Sequence, residues 1–261
     1  MILTEEWKAY LQELQDPEKI DVSSFEVQNE LNPKFWDVED RLDPEIGDRL
    51  YEIAKQFFNG LGLAWVDIVD ITFTGSLANF TWSQYSDIDL HVLIDYNQVD
   101  ENQELVKDYL RKSSGLWNRS HDIRMKGYEI EVYIQDANEV HHSGGVYSIK
   151  NDEWIEKPSI SDPKIDFESI QKKAAKLMED IDEVSELFRN KEYAAALEES
   201  GEIKRRIRKF RQSGLEKGGI FSVENLAFKV LRRNGYLQTL SSLRILSYDK
   251  SMSINGESSD K

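Results

Sequence analysis

The sequence predicts an α+β protein in which a mixed sheet with flanking helices is followed by an all-helical lobe. Alternation of apolar and polar residues, which is typical of strands, is concentrated between residues 66 and 155. Apolar residues at three-four spacing, which is typical of helices, dominate after residue 163. The turn-rich segment PSISDP, residues 158–163, separates the two patterns. We therefore expect N-terminal helices and a sheet domain over residues 1–160, a helical domain over residues 161–248, and a disordered polar tail over residues 249–261.

Helices are expected at three places in the first domain. The segment 4–14 is amphipathic at helical spacing. Asp43 supplies an N-cap and Pro44 the first helical position of a second helix, whose apolar stripe ends around Gly60 and Gly62. The third helix covers residues 99–117, and three of its apolar residues are expected to face inward: Leu105, Tyr109 and Leu110.

The strands lie on either side of a Gly-Ser pair. Residues 66–74 alternate and lead into Gly75 and Ser76, so this pair falls where a strand turns into a short helix. The next strand contains Asp87 and Asp89 and has Ile88, Leu90, Val92 and Ile94 as its apolar residues. Two hairpins are expected after it: residues 121–135 around Gly127, and residues 145–155 around Asn151 and Asp152.

Beyond residue 163 the spacing predicts three helices. The first covers residues 170–187, and the second covers residues 193–210 and ends near Gly214. The third begins after Ser222, a possible N-cap, and extends through Leu237.

Two acidic residues alternate with apolar residues after the Gly-Ser pair. Asp87 and Asp89 are two residues apart, so a strand would point both carboxylates to one face. Like charges so placed repel unless a cation lies between them. Two divalent ions about 3.5–4 Å apart need more than two carboxylates, so a third acid is expected on a neighbouring strand. Glu131, in the middle of such a strand, is the preferred candidate, and Glu129 is the reserve.

Each of these features also has a purely structural interpretation. An acid-x-acid strand can be the solvent face of an ordinary antiparallel sheet, and a Gly-Ser pair can be a simple turn. Their order along the chain, with a strand before the pair and a second acidic strand later, favours a functional site.

In this order, Gly75, Ser76, Asp87, Asp89 and Glu131 resemble the motif of the DNA polymerase β-like nucleotidyltransferase superfamily, and most closely the small predicted nucleotidyltransferases of phages and bacteria. The resemblance covers about residues 60–160. It implies a polymerase β-like palm over that region, with the helical lobe beside it. It also implies transfer of a nucleoside monophosphate from a nucleoside triphosphate, ATP by default, to an acceptor hydroxyl, with release of pyrophosphate.

The resemblance further implies a role for each motif residue. Asp87 and Asp89 would hold the Mg²⁺ or Mn²⁺ ion on the triphosphate, and Asp89 with Glu131 would hold a second ion that activates the acceptor. Gly75 and Ser76 are expected at the β and γ phosphates, and Ser86 is also assigned to nucleotide binding.

Six cations fall within the eight residues 204–211, inside a helical pattern. One interpretation is a solvated helix face that balances the acidic segment 179–186. The other is a cationic wall for a triphosphate or an RNA backbone, in a cleft between the two lobes. In that case Lys204, Arg205 and Arg208 are the candidate nucleotide-binding cations.

Composition excludes several classes of protein. The net charge of −16 disfavours nonspecific coating of nucleic acid, and the lack of cysteine excludes disulfides and thiolate zinc sites. Four histidines without an HExxH motif argue against a zinc hydrolase, and the adjacent His141 and His142 favour a polar loop over a metal site. No run approaches the ~20 apolar residues of a membrane span, so a soluble protein is expected. The lack of cysteine mildly favours the cytoplasm, and a monomer is assumed because the sequence does not indicate the oligomeric state.

The acceptor is left open by the sequence. The cationic run and the basic third helix, with Lys229, Arg232 and Arg233 outward, slightly favour a nucleic-acid 3′ end, such as an RNA end. Transfer to a protein or a small molecule is the alternative within enzymes. A module that senses nucleotides without turnover is the alternative outside them.

Overall fold

The computed structural model describes residues 16–139 and 143–254. The helix predicted over residues 4–14, the loop at His141 and His142, and the end of the predicted tail lie outside these residues. Within them the chain is α+β, as the sequence predicts, with six α-helices and one six-stranded mixed sheet. None of the helices in this part of the chain is both long and apolar enough to cross a membrane.

The chain divides into two units. The sheet unit comprises Ser24–Asp162, and the helical unit combines the described residues up to Ser23 with those from Pro163 onward. The later division falls within the turn-rich segment that separates the two sequence patterns. The helical unit also takes in a short 3₁₀-helix before the sheet unit, Pro17–Lys19, which packs against the first long helix after Pro163.

The sheet unit contains one sheet with the strand order β3-β4-β2-β1-β5-β6. All neighbouring strands are antiparallel except β2 and β4, which run parallel. Both predicted hairpins, β3 with β4 and β5 with β6, are present. The strand bounds are β1 Ile68–Thr74, β2 Ile88–Ile94, β3 Arg124–Met125, β4 Tyr128–Asp136, β5 Val146–Ser148 and β6 Glu153–Glu156.

Helix α1, Pro44–Gly60, begins and ends where the sequence predicts. The Asp43 side chain accepts the backbone N–H of Glu45, and Pro44 occupies the first helical turn, where no intrahelical partner for an N–H is available. Leu50 and Phe57 belong to the buried stripe of the helix and to the same core as strand β2.

Helix α2, Gln103–Ser120, carries the chain from β2 to the parallel strand β4, because parallel neighbours need a crossover connection. Its inward face differs from the prediction. Leu110 is buried, but Leu105 and Tyr109 are 61% and 46% exposed. The buried face is instead made by residues at i, i+4 and i+8: Val106, Leu110 and Ser114.

The helical unit contains four α-helices rather than three. The bounds are α3 Phe167–Arg189, α4 Tyr193–Gly218, α5 Val223–Arg233 and α6 Tyr236–Met252. Ser222 caps α5 as predicted, accepting the N–H of Asn225. The single third helix of the prediction is broken at Gly235, whose φ of +76° is left-handed and ends α5 before α6 begins. Helix α6 continues to Met252, into the segment where the sequence predicts a disordered tail.

Candidate metal centre

The parallel pairing of β2 and β4 places two acidic residues side by side. Asp89 lies opposite Glu131 in the register of the two strands. Their neighbours Ile88 and Ile130 are also opposite each other and are buried. Because successive side chains of a strand alternate between faces, burial of the isoleucines turns both carboxylates to the other face of the sheet.

Asp87, which precedes β2, completes a group of three acids with Asp89 and Glu131. One carboxylate oxygen from each lies within 4.8 Å of the other two, and all three residues are half-buried. The structure therefore brings together the three predicted metal ligands.

Glu129, the reserve candidate, lies elsewhere on β4. It is paired with Arg124 of β3 in the hairpin, and its carboxylate lies 3.5 Å from the guanidinium of that residue. Among the described residues it is not part of the acidic group. The position of Glu131 opposite Asp89 distinguishes the two glutamates, which the alternation of the sequence alone does not.

Tyr133, two residues after Glu131 and on the same face of β4, was not among the predicted site residues. Its hydroxyl donates a hydrogen bond to Oε2 of Glu131. Burial raises the pKa of the Tyr133 phenol, and the negative charges of Glu131, Asp89 and Asp87 raise it further. The phenol is therefore a proton donor that fixes one oxygen of Glu131. Its two-residue spacing from Glu131 is the sequence signal that could have found it.

Asn118 fixes the backbone of β4 next to Glu131. The N–H of Val132 donates to Oδ1 of Asn118 at 2.9 Å, and Nδ2 of Asn118 donates to the Val132 carbonyl at 3.2 Å. Strand β3 pairs only with the beginning of β4, so this amide on α2 takes the place of a further strand. The strand that carries Glu131 is thus hydrogen-bonded on both edges at this point.

Gly75 is in direct contact with the acidic group. Its φ is +80°, and a Cβ atom at this position would come within 1.9 Å of Oδ2 of Asp89. Only glycine satisfies both the left-handed backbone and this approach. The Gly-Ser pair and the acidic strand, which are separate motifs in the sequence, therefore form one structural unit.

Ser76 and Ser86 meet beside this contact. Their Oγ atoms are 2.7 Å apart, and Oγ of Ser86 also accepts the N–H of Ser83 at 3.0 Å. Ser76 begins the short 3₁₀-helix Ser76–Ala78 that follows β1, as the sequence predicts. The two predicted nucleotide-binding serines are thus neighbours in space. Ser76 follows Gly75 in the chain, and Ser86 directly precedes Asp87.

The turn that carries Ser76 is held by the rest of the sheet unit. The indole N–H of Trp36 donates to the carbonyl of Leu77 at 2.8 Å. On the other side, Gly145 approaches so closely that a Cβ there would lie 1.9 Å from the carbonyl oxygen of Ala78. Trp36 itself stacks on Phe73 of β1, so the turn is fixed to the core rather than free to move as a loop.

The three predicted nucleotide-binding cations lie in the helical unit, on α4. Arg205 forms an ion pair with Glu202, one helical turn before it. Lys204 and Arg208 are exposed and have no ion-pair partner among the described residues. Their assignment to a triphosphate remains a prediction.

The donor set of the acidic group fits a hard divalent cation. Mg²⁺ and Mn²⁺ prefer carboxylate oxygens, and the group offers three carboxylates without a histidine or a cysteine. Three carboxylates at this separation repel one another, and a bound cation removes that repulsion. The half-buried setting strengthens both effects relative to a fully solvated site.

Comparison with protein-family models, with curated proteins and with solved structures finds no match for this chain.

Proposed function

We propose that this protein is a metal-dependent nucleotidyltransferase with a polymerase β-like palm, which transfers a nucleoside monophosphate from a nucleoside triphosphate to an acceptor hydroxyl. One observation carries the proposal: the Gly75–Ser76 turn is packed against Asp89 of the same carboxylate group that contains Asp87 and Glu131. A solvent-facing acidic strand would need no glycine of this kind. A site that brings phosphates next to carboxylates needs both parts in contact.

In this proposal Asp87, Asp89 and Glu131 hold Mg²⁺ or Mn²⁺. When bound, such ions neutralise charge on a triphosphate and lower the pKa of an attacking hydroxyl. Tyr133 keeps Glu131 in one orientation by donating to one of its oxygens.

The small residues of the turn serve the nucleotide. Gly75 lets the backbone approach a phosphate without a side chain in the way. The hydroxyls of Ser76 and Ser86 are hydrogen-bonded to each other, which leaves one of the two O–H groups as a donor to a phosphate oxygen. Because the turn is held by Trp36 and by the approach of Gly145, its donors are already in place before the nucleotide binds. ATP is the proposed nucleotide because of its abundance.

A nucleic-acid 3′ end is the favoured acceptor, with a protein or small-molecule hydroxyl as the alternative. The cationic segment of α4 favours the former. A nucleotide-sensing module that uses the same site without turnover is the second candidate function, since phosphate and metal binding alone would need the same carboxylates.

The test is incubation of the protein with each α-³²P-labelled nucleoside triphosphate and Mg²⁺ or Mn²⁺ in a cell extract, followed by separation of RNA, protein and small molecules. Asp89→Asn is the control, because it removes one charge and one ligand but no volume. Label in a single fraction with the wild type and none with the variant supports the transferase and identifies the acceptor class.

Pyrophosphate release distinguishes the two candidate functions. Metal-dependent nucleotide binding without release of pyrophosphate in any fraction would support the sensor. Equal labelling by Asp89→Asn and by the wild type would contradict both functions at this site.

A further inference from the structure

A cavity of about 510 Å³ lies in the helical unit, along one face of α4. Three cations line it, Arg205, Arg206 and Lys209, together with the half-buried ring of Phe210, over which Nζ of Lys173 lies 5.2 Å from the ring centroid. These residues recur at three- and four-residue spacing, so they share one face of the helix. Two acids also line the cavity, Glu202 and Glu224.

The positive charge of the cavity is not cancelled by these acids. Glu224 is already paired with Lys173, at 2.7 Å, and Glu202 is held by Arg205 in an exposed pair along the helix. Exposed pairs of that kind are weak, so an anion of higher charge competes with Glu202 for Arg205.

The other two cations of the cavity, Arg206 and Lys209, differ in whether an acidic residue already pairs with them. Arg206 forms an ion pair with Asp180 of α3, whose side chain is only 13% exposed, and this pair orients the guanidinium. Lys209 has no ion-pair partner among the described residues. The cavity therefore combines one oriented and one freely available cation with Arg205.

Further cations extend this charge around the helix. Lys204 and Arg208 are exposed on a neighbouring face of α4 and likewise have no ion-pair partner in the described part of the chain. A single small phosphate would engage only the cavity. A strand of phosphates can engage the cavity and the neighbouring face together.

The distribution of charge along the chain points the same way. Residues 24–162 contain 27 acidic and 12 basic residues, whereas the helical unit, residues 1–23 and 163–261, contains 22 acidic and 21 basic residues. The net negative charge of the protein thus belongs to the sheet unit. Because the acidic sheet unit repels a polyanion, the phosphate backbone of a nucleic acid is expected to contact the helical unit.

We propose that this face of α4 binds the phosphodiester backbone of a single-stranded nucleic acid, through Arg205, Arg206 and Lys209, with Phe210 as the aromatic surface of the cavity. A cationic groove with an aromatic side chain is the combination that single-strand binding uses, and it reads no particular base. The inference does not depend on the transfer reaction, because it concerns binding alone.

The experiment measures the anisotropy of a fluorescently labelled oligonucleotide of mixed sequence, as RNA and as DNA, titrated with the full chain at several salt concentrations. The double variant Arg205→Gln/Lys209→Gln is expected to bind both at least tenfold more weakly. It should also reduce the slope of log affinity against log salt by about 1.4, since each lost phosphate contact on a single strand contributes about 0.7. The matched control is Lys172→Gln/Lys250→Gln, which removes two exposed cations elsewhere in the helical unit and should bind as the wild type does.

A second variant tests whether weaker binding could be due to loss of the fold. Glu202→Gln removes an acid from the cavity and releases Arg205, so it should tighten binding severalfold, which no unfolded protein would do. Equal weakening by the control pair, or unchanged binding by Arg205→Gln/Lys209→Gln, would overturn the proposal. Displacement of the oligonucleotide by equimolar inorganic triphosphate would also overturn it, because the cavity would then be a site for a small anion.

Asp89→Asn separates this inference from the proposed transferase. It should bind the oligonucleotide as the wild type does, whether or not transfer takes place. Loss of oligonucleotide binding in this variant would contradict the assignment to α4.

Discussion

Gly75 and Asp89 are in such close contact that one methyl group on the glycine would overlap a carboxylate oxygen, at 1.9 Å. Two motifs separated by a loop are therefore tied together by a steric requirement.

Gly75→Ala should displace Asp89 as well as strain the backbone. The strain of a positive φ alone destabilises a non-glycine residue by about 1–3 kcal/mol. Gly62→Ala is the matched control, because Gly62 has a φ of +71° and nothing within 4 Å of its Cβ position. Thermal unfolding and Mn²⁺ titration should show a small loss of stability in both variants, but weakened Mn²⁺ binding only in Gly75→Ala. Equal Mn²⁺ affinity in the two variants would contradict the role of the contact.

Glu131→Gln and Glu129→Gln should behave differently although both remove a carboxylate from the same face of β4. Glu131 belongs to the acidic group, and Glu129 is paired with Arg124. A ligand that binds the folded state at 100 times its dissociation constant stabilises it by about 2.7 kcal/mol. We expect this Mn²⁺-dependent gain in the free energy of unfolding to be retained in Glu129→Gln. We expect it to be lost in Glu131→Gln. The opposite result would make Glu129 the third ligand.

Glu131→Gln should also raise, or leave unchanged, the stability of the protein without metal. Removing one of three neighbouring carboxylates relieves their mutual repulsion. The measurement is urea unfolding in excess chelator, with Glu129→Gln as the comparison, since that variant loses an ion pair instead. A large loss of metal-free stability in Glu131→Gln would show that its role is mainly structural.

Tyr133→Phe should weaken metal binding by about 10-fold to 100-fold while leaving the fold in place, because residues that orient a ligand have effects of that size. Tyr147→Phe provides the control: Tyr147 also donates to a carboxylate, Asp152 at 2.6 Å, but that carboxylate is outside the acidic group. Isothermal titration with Mn²⁺ should separate the two variants. Similar losses in both would show only that removing a hydroxyl from a tyrosine–carboxylate pair perturbs the sheet.

Stability should fall steeply at alkaline pH. Burial raises the pKa of Tyr96 to about 12 and raises the pKa of Tyr133 and Tyr147 in the same direction, with nearby carboxylates contributing. In the unfolded chain these phenols ionise near pH 10. The stabilisation is therefore complete below about pH 10 and is lost as the pH rises toward the folded-state values. Urea unfolding between pH 9 and about 12, with phenolate absorbance as the titration signal, tests this; Tyr96→Phe should flatten the fall.

The local signals of the sequence were sufficient for much of the sheet unit. Asp43 and Pro44 fix the start of α1 because a cap and a proline act within one turn. Gly75, Ser76 and the two hairpin turns are likewise short-range features, and all fall where predicted. Asp89 follows the expected alternation of β2, whereas Asp87 lies one residue before the strand rather than within it as expected, and still joins the acidic group.

Features that depend on packing between distant residues were harder to predict from the sequence. On α2 the sequence offers more than one apolar stripe, and contact with the sheet selects the one through Val106 rather than those through Leu105 and Tyr109. The choice between Glu129 and Glu131 depends on the register of β2 with β4, a relationship between distant residues. The break at Gly235 had a signal, the glycine itself, but the apolar spacing on either side continues as one helix would.

The register of β2 and β4 also sets the tolerance of this chain to changes in length. Inserting or deleting one residue in either strand would turn Asp89 or Glu131 toward the buried side, now occupied by residues such as Ile88 and Ile130. A carboxylate on the buried side of the sheet would lack a partner. An isoleucine would take the place of that carboxylate at the metal site. Length variation should therefore be confined to the loops of the sheet unit, since in these two strands a single insertion would remove the core and the site together.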